Sequence, residues 1–257
     1  MSLAGFALRR YGGLNCCLYR KFSATETDND RKIKSFIQRV KELNFCSTPS
    51  IFLPLKINGL TYGYLPRKLE ILLLTKFSDK FMLVKDSTSE NLVLTLSPIV
   101  YAMSLWDRTA AIANVTGELR RMGLINGWRD ELLPVTDSFS NNPAFLIERA
   151  AIHLFGMKAY GIHVNGIVRD TTTGNVTKLW VGKRSSTKAT FPGMFDHIVA
   201  GGLPYGINPI NNVIKECSEE ANIPAKLACR AQAVGAVSYS NIDEEGRLDR
   251  NIHPSTN

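Results

Sequence analysis

The sequence predicts an α+β protein built of two successive units, and three observations carry that prediction. Helical-period and strand-like segments mix over the first 155 residues. Two strand-like runs flanking the polar turn Asp170 to Gly174 then open a second group of strands. Finally a short strand, a glycine-rich loop and an amphipathic helix follow one another from Phe195 to Ala221. At 257 residues the chain has room for two cores. The expected organisation is an N-terminal segment 1–25, a small α+β domain at 28–155 and a second domain at 158–257.

The elements follow in order. Ile33, Phe36, Ile37, Val40 and Leu43 recur at helical spacing with Lys and Arg between them, predicting a helix over 28–45. Residues 51–57, 81–85 and 91–96 read as strands separated by turn residues. Helices are expected at about 105–122 and 143–155. Trp128, Arg129, Asp130 and Glu131 form a cluster with two readings, a substrate-facing loop or a Trp packed over an Arg–Asp pair, the second being favoured. Residues 160–169, 178–183, 195–200 and 231–239 are strand-like, and Pro209 with Asn222 and Pro224 bracket a helix between them. The segment from Asn241 to Asn257 is polar and turn-rich and predicts no core element.

Composition bounds the function. A 44% hydrophobic and 21% charged chain is ordinary for a globular protein, and no run approaches the ~18 apolar residues of a membrane span. Cys16, Cys17, Cys46, Cys217 and Cys229 are an odd number without metal-ligand spacing and read as reduced thiols. His153, His163, His197 and His253 are scattered, so neither a zinc site nor a catalytic triad is legible, and no Walker or Rossmann glycine pattern is present. Arg9, Arg10, Arg20 and Lys21 precede any acid, and this basic segment resembles an organellar transit peptide with a mitochondrial-type processing site near Ser23. Those four residues account for half of the net charge of +8, and the remainder does not call for nucleic acid.

The chemistry concentrates in the predicted helix. At about 100° per residue, Glu216, Glu219 and Glu220 fall within one arc, while Ile210, Val213, Ile214, Cys217 and Ala221 occupy another that faces a core. Like charges at these spacings repel, so helix stability alone does not select them. Three carboxylates on one face make a hard-oxygen site suited to Mg²⁺, or Mn²⁺ in its place, shared with substrate phosphates. The plainer reading of such a cluster is a solvated charged face. Lys183, Arg184 and Lys188 read equally well as a diphosphate clamp and as a solvated basic loop.

The strand, the glycines Gly201 and Gly202 and the run Lys215-Glu216-Cys217-Ser218-Glu219-Glu220 resemble the Nudix box. With Gly201 as the first glycine of that motif, Glu216, Glu219, Glu220 and Ile223 match, whereas Ile207, Lys215 and Asn222 replace a Glu, an Arg and a Gly. Together with the segments 185–196 and 127–135, the box resembles the Nudix branch related to the C-terminal half of fungal thiamin pyrophosphokinase fusions and to plant plastid Nudix enzymes. The resemblance implies a Nudix-type α/β/α sandwich with a mixed sheet. It implies a Mg²⁺-dependent hydrolase that cleaves a small-molecule diphosphate, foremost a damaged, oxidised thiamin diphosphate to its monophosphate. An oxidised nucleoside diphosphate is the alternative substrate, and a binding module without turnover the alternative function. Glu216, Glu219 and Glu220 are then the metal ligands, Glu216, Lys215 and Glu219 the catalytic set, and Lys183, Arg184, Lys188, Gly201 and Gly202 the substrate contacts. Neither nucleic acid nor membrane is an expected partner. The expected address is mitochondrial, with plastid or cytoplasm as alternatives. Only 100 residues run from Lys158 to Asn257, so a sheet lacking its last strands is expected.

Overall fold

The computed structural model describes residues 28–43, 51–188, 191–243 and 245–257. The basic segment 1–25 and Cys16, Cys17 and Cys46 lie outside the described residues. Within them the chain is α+β, as expected, with six α-helices and fourteen strands.

Helix α1 (Asp28–Leu43) precedes a four-stranded sheet made of β1 (Phe52–Ile57), β2 (Leu60–Pro66), β3 (Phe81–Lys85) and β4 (Leu92–Leu96), in the order β2-β1-β4-β3. Asn58 and Gly59 both take positive φ, 51° and 75°, as a tight turn into β2 demands. That hairpin was not among the expected elements, although Asn-Gly is its sequence signal. Helices α2 (Arg67–Lys76) and α3 (Pro98–Ala102) pack on the sheet, and α4 (Leu105–Arg121) follows α3 and shares its core. Ser97 and Ser104 cap α3 and α4 by accepting the backbone N–H of Val100 and Asp107. The core gathers Leu53, Leu55, Leu65, Leu73, Leu94, Ile112, Val115 and Leu119, all essentially inaccessible to water. Each such side chain contributes about 1.5–3 kcal/mol by burial.

The helix expected over 143–155 is instead β6 (Phe145–Glu148) followed by a 3₁₀ turn at Arg149–Ala151. All four residues of β6 are buried, and it pairs antiparallel with β5 (Leu132–Val135). A short apolar run buried on both faces has no periodicity to separate it from helix, and its partner strand lies in a segment for which no element was expected.

The second half is organised around β7 (Lys158–Val164). Hairpin β8 (Gly166–Arg169) and β9 (Val176–Trp180) and the short pair β10 (Gly182–Lys183) and β11 (Phe195–Asp196) lead to β12 (Val199–Gly202), α5 (Pro209–Ala221), α6 (Ala225–Ala228), β13 (Ala233–Ile242) and β14 (Leu248–Thr256). The four-stranded sheet runs β12-β7-β14-β13. The polar segment 241–257, expected to build nothing, supplies β14, which lies between two partners, parallel to β7 and antiparallel to β13. Its turn is set by Asp243, whose carboxylate accepts the backbone N–H of Arg247 and pairs with its guanidinium at 2.7 Å. The strand was illegible because one face alternates the polar Asp249, Asn251, His253 and Ser255, whose cross-strand partners are as varied as Asn241, Tyr239, Val237 and Gly235, so no apolar alternation marks it. A second cluster of Ile162, Val164, Val199, Val213 and Cys217 packs α5 against β7 and β12.

Candidate metal and diphosphate site

Local sequence fixes α5. Asn208 accepts the backbone N–H of Asn211 at 2.9 Å, Pro209 occupies the first turn, and Asn222 closes the helix with φ 51° in the left-handed region. Val213 and Cys217 are buried, as the apolar arc predicts, whereas Ile210 at the first turn is partly exposed. Asn212 is also fully buried and donates from Nδ2 to the carbonyl of Gly202 at 2.8 Å, tying the helix to the glycine loop.

Glu216 and Glu220 lie on the side of α5 that meets β12, and the three glutamates occupy three environments. Glu216 is 13% exposed and rests against Gly201, where an added Cβ would come 2.3 Å from Cδ. Glu220, 36% exposed, accepts the backbone N–H of Ala200 at 3.1 Å and lies 4.0 Å from Lys188 Nζ. Glu219 is 57% exposed. Lys215 sits between two of them, its ammonium 3.0 Å from Glu216 and 2.8 Å from Glu219. Those hydrogen bonds, the one to Glu219 foremost, raise the Lys215 pKa and keep it a cation. Among the described residues, no three His, Cys, Asp or Glu side chains already converge as metal ligands. The Lys215 ammonium pairs with two of the three carboxylates and offsets their mutual repulsion.

The expected substrate contacts fare differently. Gly201 and Gly202 end β12 beside α5. Arg184 is held by Asp196 at 2.8 Å and Lys188 leans toward Glu220, while Lys183 is exposed on β10. Lys188 therefore pairs with a carboxylate of the acidic helix, and Arg184 with one on β11. In the Trp128 cluster, Trp128 Nε1 donates to Asp130 at 2.8 Å, the cation over its ring is Arg120, at 4.7 Å, not Arg129, and Trp128 and Asp130 with Glu148 line a cavity of about 230 Å³.

Several features were invisible in sequence. The first half of the chain grips the glycine loop: Arg149, paired with Glu131 at 2.8 Å, lies over Gly202, Tyr205 N–H donates to the Leu132 carbonyl, and Trp106 meets the Tyr205 ring edge-on at 6.1 Å. Glu148, buried, steadies that contact by accepting the N–H groups of Arg129, Glu131 and Ala150. The four histidines, scattered in sequence, are not scattered in space. His163 stacks on His197 and on His253, at 4.1 and 4.3 Å, and His153 Nδ1 lies 2.7 Å from Asp249. Burial, then the neighbouring His253 and His197, push the His163 pKa down to about 4. Period-two placement on β7 and β14 is the only signal for this stack, and it requires knowing that those strands pair.

Residues 35–159 match the family described as "Domain of unknown function (DUF4743)". The chain is 41% identical over 221 residues to "Nudix hydrolase 20, chloroplastic" of Arabidopsis thaliana, covering 84% of this chain and 57% of that protein. It is 54% identical over 138 residues to "Nudix hydrolase 24, chloroplastic" of the same plant, covering 53% and 37%. An uncharacterized protein of Saccharomyces cerevisiae is 41% identical over 116 residues, covering 45% of this chain and 33% of its own. The matches thus span roughly a third to somewhat over half of each relative's length.

Proposed function

Because the chain is a homologue of Nudix hydrolases with a DUF4743 region ahead of the Nudix box, we propose that it is a divalent-metal-dependent diphosphate hydrolase. The observation that carries the proposal is Glu216 held against the bare Cα of Gly201, on the same helix face as Glu219 and Glu220. The donor set fits the ion: all-oxygen, anionic and half-open to solvent, as Mg²⁺ with its retained waters requires, with Mn²⁺ an acceptable substitute. When bound, the metal neutralises phosphate charge and supplies an acidified water. The chain's own residues do the rest. Glu216, Glu219 and Glu220 would hold the ion, with Lys215, hydrogen-bonded to Glu216 and Glu219, beside it. Lys215 then orients Glu216 as a cation, though as a point charge rather than the planar fork of Arg. In this reading Lys188, which lies 4.0 Å from Glu220, would meet the diphosphate together with Arg184 and Lys183, and Gly201 and Gly202, which end β12, would be its backbone contacts.

Within this reading the substrate is an oxidised thiamin diphosphate, cleaved to the monophosphate and phosphate, with an oxidised nucleoside diphosphate as the second choice. Support for the former is the resemblance of segments 127–135 and 185–196 to the thiamin-linked Nudix branch. A ligand-binding role without turnover is the competing reading, favoured by Ile207 at a position where the Nudix box has Glu and by the ion pairs of Lys215. The basic, acid-free segment 1–25 supports an organellar address, and the names of the two plant relatives favour plastid over mitochondrion. The deciding experiment is phosphate release from a panel of thiamin and nucleoside diphosphates with Mg²⁺ or chelator. Glu219→Gln should lower turnover by at least ~100-fold, about 2.7 kcal/mol of transition-state stabilisation, with the fold intact. Turnover indifferent to chelator, or unchanged in Glu219→Gln, overturns the metal assignment.

A further inference from the structure

Neighbouring residues of a strand face opposite ways, and the last two of β12 are both glycine. Gly201 pairs with Ile162, which belongs to the cluster that packs α5, and its missing side chain leaves room for Glu216. Gly202 pairs with Gly161 and turns to the other face, where the first half of the chain supplies Arg149. A Cβ at Gly202 would stand 3.2 Å from Arg149 Cζ and Nη1 and 3.5 Å from Nη2, so the plane of the guanidinium rests on the bare Cα.

Two glycines ending a strand have no side chains to hold them and the widest conformational choice of any residue. Their position has to be set from outside. Asn212 does so from α5, donating to the Gly202 carbonyl at 2.8 Å, and Arg149 does so from the opposite face. Arg149 is itself held twice by Glu131: Nη1 meets the carboxylate at 2.8 Å, and the backbone N–H donates to the Glu131 carbonyl, also at 2.8 Å. Buried Glu148 accepts the N–H groups of Glu131 and Ala150, so the backbone on both sides of the pair is fixed as well. The ion pair is partly open to solvent, and such pairs add little to stability. What it fixes is the backbone beside Glu216.

We propose that Arg149, held by Glu131, is a positioning residue for the acidic site: it fixes the end of β12 from the face opposite α5, and with it the seat of Glu216. This role rests on the metal reading for what Glu216 holds, while the contacts stand without it. The first half of the chain is then part of the hydrolase site, although none of its residues stands on the acidic helix.

The test compares wild type, Arg149→Met, Arg149→Lys and Glu131→Gln as full chains, by calorimetric titration with Mn²⁺, by Tm and by amide exchange. Arg149→Met keeps an extended side chain and removes the fork. Its Mn²⁺ affinity should fall ~10-fold, as for a group that acts on a metal ligand through its neighbours, while Tm moves by less than ~4 °C. The Tyr205 amide, which donates to the Leu132 carbonyl at 3.1 Å, should exchange ~10-fold faster, with the amides of Leu55 and Leu94 in the first sheet unchanged. Arg149→Lys, a point cation that can still meet Glu131, should stay within ~3-fold of wild-type Mn²⁺ affinity. Glu131→Gln should cost ~3-fold, and it decides the matter if Arg149→Met fails to fold. Wild-type Mn²⁺ affinity in Arg149→Met or in Glu131→Gln, Arg149→Lys as weak as Arg149→Met, or a Tyr205 amide as slow as in wild type overturns the proposal. Faster exchange shared by Leu55 and Leu94 also overturns it, because Arg149 would then support the whole fold. A wild type that binds no Mn²⁺ overturns the metal reading instead, and the Tyr205 amide then decides the positioning by itself.

Discussion

Replacing Gly201 by Ala tests the site with a single methyl group. Gly201 is absent from the positive-φ residues, so Ala adopts the same backbone without strain and restricts the unfolded chain, which by itself favours folding by about 0.4–1 kcal/mol. The added Cβ would stand 2.3 Å from Glu216 Cδ and 2.6 Å from both Cγ and Oε2. Carbon atoms in contact sit at roughly 3.5–4.0 Å, so the carboxylate must retreat by more than 1 Å. It is the far end of a flexible side chain, so the retreat costs about 0.5–1.5 kcal/mol of rotamer strain, and Tm should change little. Function should change much more: a ligand or orienting group displaced by about 1 Å costs on the order of 100-fold, or 2.7 kcal/mol at the transition state. The assay is Mg²⁺-dependent phosphate release from a thiamin or nucleoside diphosphate, with Tm followed by circular dichroism. Wild-type turnover in Gly201→Ala would refute the idea that Glu216 works from its place against β12. A collapse of Tm by ~10 °C or more would refute the argument that Gly201 is kept for the site rather than for the fold.

The other expectations concern stability, pH and address. Gly156→Ala should cost at least ~2 kcal/mol by urea titration, because φ is +56° and the new Cβ would lie 2.2 Å from the Tyr64 carbonyl oxygen, a rigid backbone atom; a loss below ~0.5 kcal/mol contradicts that contact. His163, with its pKa lowered from 6.5 to about 4, binds its proton more readily unfolded than folded, so its contribution is complete above about pH 6.5 and is lost as pH falls toward 4. His163→Gln should therefore flatten the fall of Tm between pH 6.5 and 4, and parallel curves for the two proteins would show that the stack is not responsible. A reporter carrying residues 1–25 should enter an organelle, and Arg9→Glu with Arg10→Glu should leave it in the cytosol. Cytosolic signal from the unaltered segment removes the targeting reading.

Sequence alone determined what local physics decides. Pro209 and Asn222 placed the ends of α5, and its apolar arc was predicted through Val213 and Cys217. The strand Phe81–Lys85 was legible from composition between turns, and so was the spacing of Gly201 from Glu216. Caps, glycines and 3.6-residue periods act over a few positions, so they can be read without knowing the fold. Only the tertiary structure decided that residues 248–256 form a strand between β7 and β13, that Phe145–Glu148 is strand rather than helix, and that Arg149 lies over Gly202. It also brought His163 and His253 together across 90 residues and set Lys158 beside Arg250 across 92. The reason is that sheet pairing satisfies backbone groups whatever the side chains are. A polar strand is therefore held in place by its neighbours' hydrogen bonds and registers, which no local pattern in its own sequence encodes.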